Sequence, residues 1–266
     1  MTTEALQAQI EGARAYDALF VPALFGQWSD LMAGKAGIAP GSRVLDVACG
    51  TGALTRQLHA RLADSGHAEG LDANPGMLAV AAEQRPEITW TQAAAEALPY
   101  RPSSFDAVTC QFGLMFFSEP DLAIAEMLRV VKPGAKVVLA VWDAIESVPG
   151  YFAEHNLILE RAGQQAADAV AVPFSLGDTQ QLNALCVAAG ARDIAIETHL
   201  GTARFPDVAT MVGAELRGWL PIMGVHLEEP LIDDILGEAE HALAPFRLAD
   251  GSLTFDIAAH VAVLTG

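Results

Sequence analysis

Short apolar segments alternate with segments of helical spacing over the first half of the chain. Five of the apolar segments predict strands, because they are partly β-branched and are bounded by turn residues. They cover residues 43–47, 68–72, 88–91, 105–110 and 136–142. Strands that alternate with helices predict an α/β fold with a parallel, doubly wound sheet and right-handed crossovers.

The second half is mostly helical in pattern. Helices are predicted over residues 150–162 and 179–189, and residues 193–198 and 253–263 alternate as strands. Leu231, Ile235 and Ala242 belong to an apolar helical stripe within an insertion, whose acidic residues predict a solvated face. Residues 2–33 are predicted to be helical, with an apolar face that either covers the sheet or closes over a site.

Composition limits the class of partner. The chain has 266 residues, 52% of them hydrophobic and 18% charged, which suits one domain with a large core. A net charge of −18 opposes nucleic acid or an anionic membrane as the main partner. The three cysteines are far apart, and no signal pattern or bilayer-long apolar run is present, so we expect a cytoplasmic protein. The absence of cysteine–histidine clusters predicts no metal.

Small residues follow the first strand at every second position. Ala48, Gly50 and Gly52 form a tight turn between a strand and a helix, which is how an α/β sheet builds a nucleotide site. The third glycine of a dinucleotide loop is missing, because Thr55 stands at its position. Asp46 would repel a pyrophosphate and attract a cation. Asp72, 22 residues after Gly50 at the end of the second strand, is placed to accept hydrogen bonds from ribose hydroxyls.

The spacing D-x-A-x-G-x-G from Asp46 to Gly52 resembles motif I of class I S-adenosylmethionine-dependent methyltransferases. Residues 128–135 resemble the segment before the fifth strand of that family, and Ala15-Tyr16-Asp17 with Trp28 resembles the N-terminal segment of its ubiquinone/menaquinone-biosynthesis type. The resemblance implies a Rossmann-like sheet with an antiparallel last strand. It also implies a small-molecule acceptor, methylated on O, N or C by in-line displacement.

The resemblance implies a set of site residues. S-adenosyl-L-methionine would contact Asp46, Ala48, Cys49, Gly50, Thr51, Gly52, Asp72, Ala73, Met77, Ala95, Glu96, Gln111, Phe112, Tyr16 and Trp28. Ala94 stands where the family usually offers an aspartate to the adenine, so Ala95 or Glu96 would replace it. The acceptor would contact Tyr16, Met115, Trp142, His155 and Arg217, with His155 as a base if one is needed. Core packing is the alternative for Tyr16, Met77 and Trp28. A surface or packed position is the alternative for His155, and a salt bridge is the alternative for Arg217.

The domain prediction is a single methyltransferase domain over residues 1–266. It has an N-terminal helical lid at 2–33, a core at 41–143, 178–200 and 251–266, and cap insertions at 144–177 and 205–250. Two other functions share the fold: an NAD(P)-dependent oxidoreductase, and a non-catalytic subunit that binds S-adenosylmethionine. A homodimer is a further expectation.

Overall fold

The computed structural model describes residues 2–265. The strands are β1 (Arg43–Val47), β2 (His67–Asp72), β3 (Thr89–Gln92), β4 (Phe105–Gln111), β5 (Val131–Trp142), β6 (Asp193–Phe205) and β7 (Leu253–Thr265). The helices are α1 (Thr3–Phe20), α2 (Ser29–Lys35), α3 (Ala53–Leu62), α4 (Pro75–Gln84), α5 (Pro120–Val130), α6 (Pro149–Ala162), α7 (Gln164–Ala171), α8 (Thr179–Ala188), α9 (Val208–Ala214), α10 (Leu220–Ile222) and α11 (Glu229–Ala242).

These residues form two compact units. The first contains residues 2–141, 178–199 and 260–265, and the second contains residues 142–177 and 200–259. The segment predicted as an N-terminal lid lies in the first unit, and both predicted cap insertions fall within the second. The single-domain description of the whole chain stays a prediction.

One seven-stranded sheet has the order β3-β2-β1-β4-β5-β7-β6. β1 pairs in parallel with two neighbours, Val44 lying opposite Ala68 of β2 and Ala107 of β4. The central strands of the sheet are buried on both faces, as parallel strands covered by helices must be. The predicted α/β doubly wound fold is confirmed.

The last two strands are antiparallel, as the family resemblance implied. At one end of the pair the Thr265 hydroxyl donates to Asp193, and further along Thr198 lies 2.9 Å from the His260 ring. β6 forms the sheet edge and β7 lies inside it. Residues 200–205 and 253–259 of these strands belong to the second unit.

β5 begins five residues earlier than the predicted start at Lys136. The strand includes Pro133 and Gly134, which the sequence indicated as a turn. A bulge makes this possible, because Phe105 pairs with Val131 whereas Ala107 pairs with Lys136. The extra residues of β5 are accommodated between these two pairs.

The N-terminal segment changes helix type where Pro22 follows α1. Residues 21–25 form a π-helical turn and residues 26–28 a 3₁₀ turn before α2 begins. A proline cannot donate a helical hydrogen bond, so a regular α-helix is interrupted there.

In the second unit, α11 packs its predicted stripe inward. Ile232, Ile235 and Ala239 are buried, whereas Asp233 and Glu238 are exposed, as the solvated-face interpretation expected.

Candidate functional site

The sheet order reverses between β1 and β4, so the chain leaves their carboxyl ends in opposite directions. Such a switch point is where open α/β sheets bind ligands. Ala48 directly follows β1 and Phe112 directly follows β4, and both have positive φ, 54° and 55°. A left-handed conformation costs a residue with a Cβ about 1–2 kcal/mol. Such strain lowers stability and clusters at functional sites, so two strained residues at this end of the sheet indicate a candidate site.

The loop after β1 is tied to the end of β2. The Cys49 amide donates to the Leu71 carbonyl at 3.0 Å, and the Gly50 amide donates to a carboxylate oxygen of Asp72 at 2.8 Å. Gly50 has φ 55° and Gly52 has φ 83°, which glycine adopts without strain. These hydrogen bonds fix the backbone of the loop that is predicted to contact a cofactor.

Gly52 is required for a reason that the sequence did not show. A Cβ at this position would lie 2.5 Å from the Trp90 ring of β3 and would clash with it, so the glycine makes room for this side chain. Gly50 differs, because the nearest atom to its Cβ position is a carbon of the Tyr16 ring at 3.9 Å. Of the two glycines, Gly50 is the one whose Cβ position meets only an ordinary van der Waals contact.

Asp72 lies between the glycine loop and the start of α4. One carboxylate oxygen accepts from the Gly50 amide and the other from the Asn74 amide, each at 2.8 Å. Burial raises the pKa of Asp72, and these backbone hydrogen bonds oppose the rise. A hydrogen bond from the Ala73 amide also opposes the rise. A carboxylate has about four lone-pair sites, so Asp72 keeps the capacity to accept a further hydrogen bond.

Asp46 lies beneath the loop. It is 1% exposed, and its two oxygens accept from the hydroxyls of Thr55 at 2.7 Å and Thr109 at 2.9 Å. Burial raises its pKa to about 7, against the lowering effect of those hydroxyls. The sequence placed Asp46 against a ligand's cation, whereas in the structure its partners are protein hydroxyls. A direct contact with a ligand ammonium stays a prediction.

α1 is latched to the glycine loop and to α4. One carboxylate oxygen of Asp17 accepts from the Thr51 hydroxyl at 2.6 Å, and the other accepts from Gln84 at 2.7 Å. α1 also contacts α4 closely, because a Cβ at Gly76 would lie 2.5 Å from the backbone of Gln9. These contacts hold the N-terminal segment over the first turn of the loop.

Aromatic rings connect this segment to the carboxyl end of β4. The Tyr16 and Phe25 rings stack with centroids 5.3 Å apart, and Phe112 lies 5.6 Å from Phe25 and 5.9 Å from Trp28. Burial and the negative charges of Asp72 and Asp17 raise the pKa of Tyr16, so its hydroxyl stays protonated. We call these four rings the aromatic roof.

The remaining predicted contacts in the first unit lie on nearby segments. Gln111, the last residue of β4, donates to the Phe25 carbonyl at 3.3 Å, and its buried Oε1 has no hydrogen-bond partner among residues 2–265. The Glu96 carboxylate accepts from the Ser118 amide at 3.1 Å, so it is already engaged. The other residues sit as follows: Ala73 accepts from Gln92 through its carbonyl, Met77 is in the first turn of α4, and Ala95 and Met115 are buried.

Three predicted acceptor residues belong to the second unit. Arg217 is exposed and already paired with Glu229 at 2.7 Å and Asp233 at 3.2 Å, so the structure gives it a surface role. The His155 ring stacks on Phe152 with centroids 6.5 Å apart, and its Nδ1 is buried without a partner within the described part of the chain. Trp142 is 3% exposed. Direct roles for these three in binding an acceptor stay predictions.

The sequence interpretation missed two buried acids of the second unit, Glu154 and Glu215. Glu154 lies on the apolar face of α6 with Tyr151 three residues before it and Ile158 four residues after it. That spacing was the available signal, because an acid within an apolar stripe is a candidate for burial.

The sequence profile of a family described as "methyltransferase domain" matches residues 44–134. Demethylmenaquinone methyltransferase of Renibacterium salmoninarum is 47% identical over 115 residues, covering 43% of this chain and 47% of that protein. The ubiquinone/menaquinone biosynthesis C-methyltransferase of Shewanella halifaxensis is 38% identical over 136 residues, covering 48% and 54%. The chain thus spans about half the length of these relatives.

Solved structures match over more of the chain. The YcgJ protein of Bacillus subtilis has a TM-score of 0.57 at 21% identity, covering 90% of this chain and 98% of that one. Phosphoethanolamine N-methyltransferase 2 of Haemonchus contortus, solved with S-adenosyl-L-methionine, has a TM-score of 0.59 at 19% identity, covering 96% and 57%. At these identities the similarity shows the fold alone. Among residues 2–265, no helix has the length and apolar character needed to cross a membrane.

Proposed function

We propose that this chain, whose residues 44–134 belong to the class I S-adenosylmethionine-dependent methyltransferases, transfers a methyl group from that cofactor to a small-molecule acceptor. The observation that carries the proposal is Asp72, whose carboxylate holds the Gly50 amide at the sheet's switch point and keeps the capacity to accept from a hydroxyl donor.

The residues at this edge suit the cofactor. Asp72 would accept from the ribose hydroxyls, next to the Gly50 backbone, whose Cβ position meets no atom closer than 3.9 Å. Cys49, Ala73, Met77, Ala95 and Glu96 remain proposed neighbours of the cofactor. When bound, the cofactor supplies an electrophilic methyl group on a sulfonium. The aromatic roof would exclude water from that end of the site.

Holding the donor and the acceptor in line is the main task of a protein in such a transfer, because no covalent intermediate with the protein is required. The side chain of Gln111 has an unpartnered oxygen at the carboxyl end of β4, and it would accept a hydrogen bond from a ligand. If the acceptor is a hydroxyl, a base must take its proton, and His155 remains the proposed candidate.

The named relatives act in quinone biosynthesis, and this supports an uncharged or aromatic acceptor that is methylated on carbon. The apolar residues after β4 are consistent with such an acceptor. A homodimer and a cytoplasmic location, the latter suggested by three isolated cysteines, belong to the same proposal.

The nicotinamide-dependent alternative is opposed by one contact. Thr55 stands where a dinucleotide loop has its third glycine, and its hydroxyl is bonded to the buried Asp46. In a dinucleotide loop the third glycine lets the helix pack closely on the strand, and a side chain bonded to Asp46 at this position departs from that arrangement.

The test is a titration of the purified chain with S-adenosylmethionine and with NADH, followed by a screen of aromatic and amine acceptors that reads S-adenosylhomocysteine release. Binding of S-adenosylmethionine and turnover with one acceptor class would support the proposal. Binding of NADH alone would overturn it. Cofactor binding without turnover on any acceptor would favour the non-catalytic alternative.

A further inference from the structure

The second unit contains a buried pair of carboxyl groups. Glu154 on α6 is 0% exposed, and Glu215, which directly follows α9, is 7% exposed. The Tyr151 hydroxyl, on the same face of α6 as Glu154, is hydrogen-bonded to Glu215. Neither oxygen of Glu154 has a hydrogen-bond partner in the described part of the chain. A buried carboxylate without donors is costly, so its retention calls for an explanation.

Among the residues that the structure describes, no cationic side chain acts on this pair. The groups that act electrostatically on Glu154 and Glu215 are each other and Tyr151. Arg217, two residues from Glu215, pairs at the surface with Glu229 and Asp233.

Arg161, on the same helix as Glu154, pairs with Glu238 and Asp234 of α11. His155 neighbours Glu154 in sequence, but residues i and i+1 point to different sides of a helix. Within residues 2–265, no cluster of three or more histidine, cysteine, aspartate or glutamate residues could hold a metal ion. The missing donor is therefore more readily an organic cation than a metal.

Two aromatic rings contact Tyr151, and a third contacts one of them. Phe174 lies 5.2 Å from its ring centroid and Phe255 lies 5.8 Å away edge-on, while Phe246 lies 5.9 Å from Phe255. Aromatic rings attract cations through the negative faces of their π-systems, and proteins bind organic ammonium groups among them. Carboxylates and aromatic rings in one cluster thus suit the same class of ligand.

Phe174 connects the cluster with the surface of the unit. Besides contacting Tyr151, it lines a surface pocket of about 320 Å³ together with Ile145, Val172 and the acidic Glu146 and Asp168. The pocket gives a ligand an approach to the Phe174 ring, and its two acids favour a cation there.

We propose that Tyr151, Glu154 and Glu215 form a binding site within the second unit for the protonated amino group of a small organic amine, which enters through the pocket at Phe174. The ammonium donates to the unpartnered oxygens of Glu154 and lies beside the Tyr151 ring. It neutralises one of the two carboxylates, and Glu215 keeps the Tyr151 hydroxyl as its own donor. This inference is independent of the proposed methyl transfer.

The test uses the full chain without cofactor and butylammonium chloride as the probe. Calorimetry at pH 8 and constant ionic strength should detect binding of butylammonium and none of butan-1-ol. Glu154→Gln keeps the shape of the side chain and removes its charge. It should weaken butylammonium binding at least about tenfold, the scale of one hydrogen bond to a charged group. Glu160→Gln, an exposed change on the same helix, should bind like the wild type.

A pH series keeps the test decisive if Glu154→Gln does not fold. Burial raises the pKa of both carboxyl groups, that of Glu154 well above its usual value and that of Glu215 to about 7, so the wild type should bind butylammonium more tightly at pH 8 than at pH 6. No binding at pH 8, equal binding of butan-1-ol, or an equal loss in Glu160→Gln would overturn the proposal and leave the pair as carboxyls that share a proton. Because no cofactor is present, none of these outcomes bears on methyl transfer.

Discussion

Replacement of Asp72 by asparagine is the sharpest test of the cofactor site. The change keeps the shape of the side chain but converts one of its acceptor oxygens into an NH₂ donor. In the wild type both oxygens accept a backbone amide, from Gly50 and Asn74. The variant can keep one of these bonds, and the other amide then faces a second donor.

The expected loss follows from the hydrogen bonds that the carboxylate offers a ligand. One hydrogen bond to a charged acceptor is worth about 1.5–3 kcal/mol, and the variant retains part of this through its remaining oxygen. We therefore expect S-adenosylmethionine to bind about 1–3 kcal/mol more weakly to Asp72→Asn, a loss of about 5- to 150-fold in affinity. The raised pKa of Asp72 adds a pH signature, because wild-type affinity should fall as the carboxylate is protonated, whereas the variant should not show this dependence.

Calorimetric titration with S-adenosylmethionine, from pH 8 downward, measures both effects. Asp106→Asn is the matched control, because Asp106 also accepts a backbone amide, that of Arg43 at 2.9 Å, and a second donor, Lys132. It lies at the amino end of β4, at the opposite edge of the sheet from the proposed site. Unchanged affinity in Asp72→Asn, or an equal loss in Asp106→Asn, would refute the assignment of Asp72 to the ribose.

Three further predictions concern the support of the site. The pKa of Asp46 is about 7 in the folded chain and near 4 when exposed, so its neutral form stabilises the fold at low pH and this contribution is lost as the pH rises from about 4 to 7. Over this pH range, the free energy of unfolding measured with urea should fall by up to about 4 kcal/mol more in the wild type than in Asp46→Asn. Parallel plots of unfolding free energy against pH for the two proteins would contradict this prediction. Gly52→Ala should lower the free energy of unfolding by about 1–3 kcal/mol more than Gly134→Ala, because both have positive φ but only Gly52 faces an aromatic ring; an equal loss would contradict this. Asp17→Ala removes the acceptor of the Thr51 hydroxyl and should speed hydrogen exchange in α1 about tenfold. Unchanged exchange would show that this hydrogen bond does not stabilise α1.

The local sequence was sufficient to predict the ends of a strand where turn residues bound that strand. β1 begins and ends where the pattern predicted, at Arg43 and Val47, and β2 ends at the predicted Asp72. The start of β5 could not be read in this way, because Pro133 and Gly134 signal a turn locally. The pairing of Val131 with Phe105, 26 residues away, extends the strand past that signal.

The orientation of Asp46 was beyond the sequence for a different reason. A strand's alternation tells which residues share a face, but both faces of a central parallel strand are buried, so the pattern does not show what a polar side chain will meet. Thr55 and Thr109 lie 9 and 63 residues from Asp46, and neither was a candidate for contacting it. For Glu154 the helical spacing could signal burial, but it could not show that Glu215, 61 residues later in the chain, would be its neighbour.

Backbone strain at the switch point is a feature that the glycines alone did not reveal. The sequence drew attention to Gly50 and Gly52, yet the residues forced into the left-handed region beside the sheet include Ala48 and Phe112. Gly113 is what permits this, because a Cβ there would lie 2.5 Å from the Ala48 methyl group. The missing side chain on β4's loop thus makes room for a strained residue on β1's loop. Since each loop constrains the other, the shape of this edge arises only when the two strands are paired.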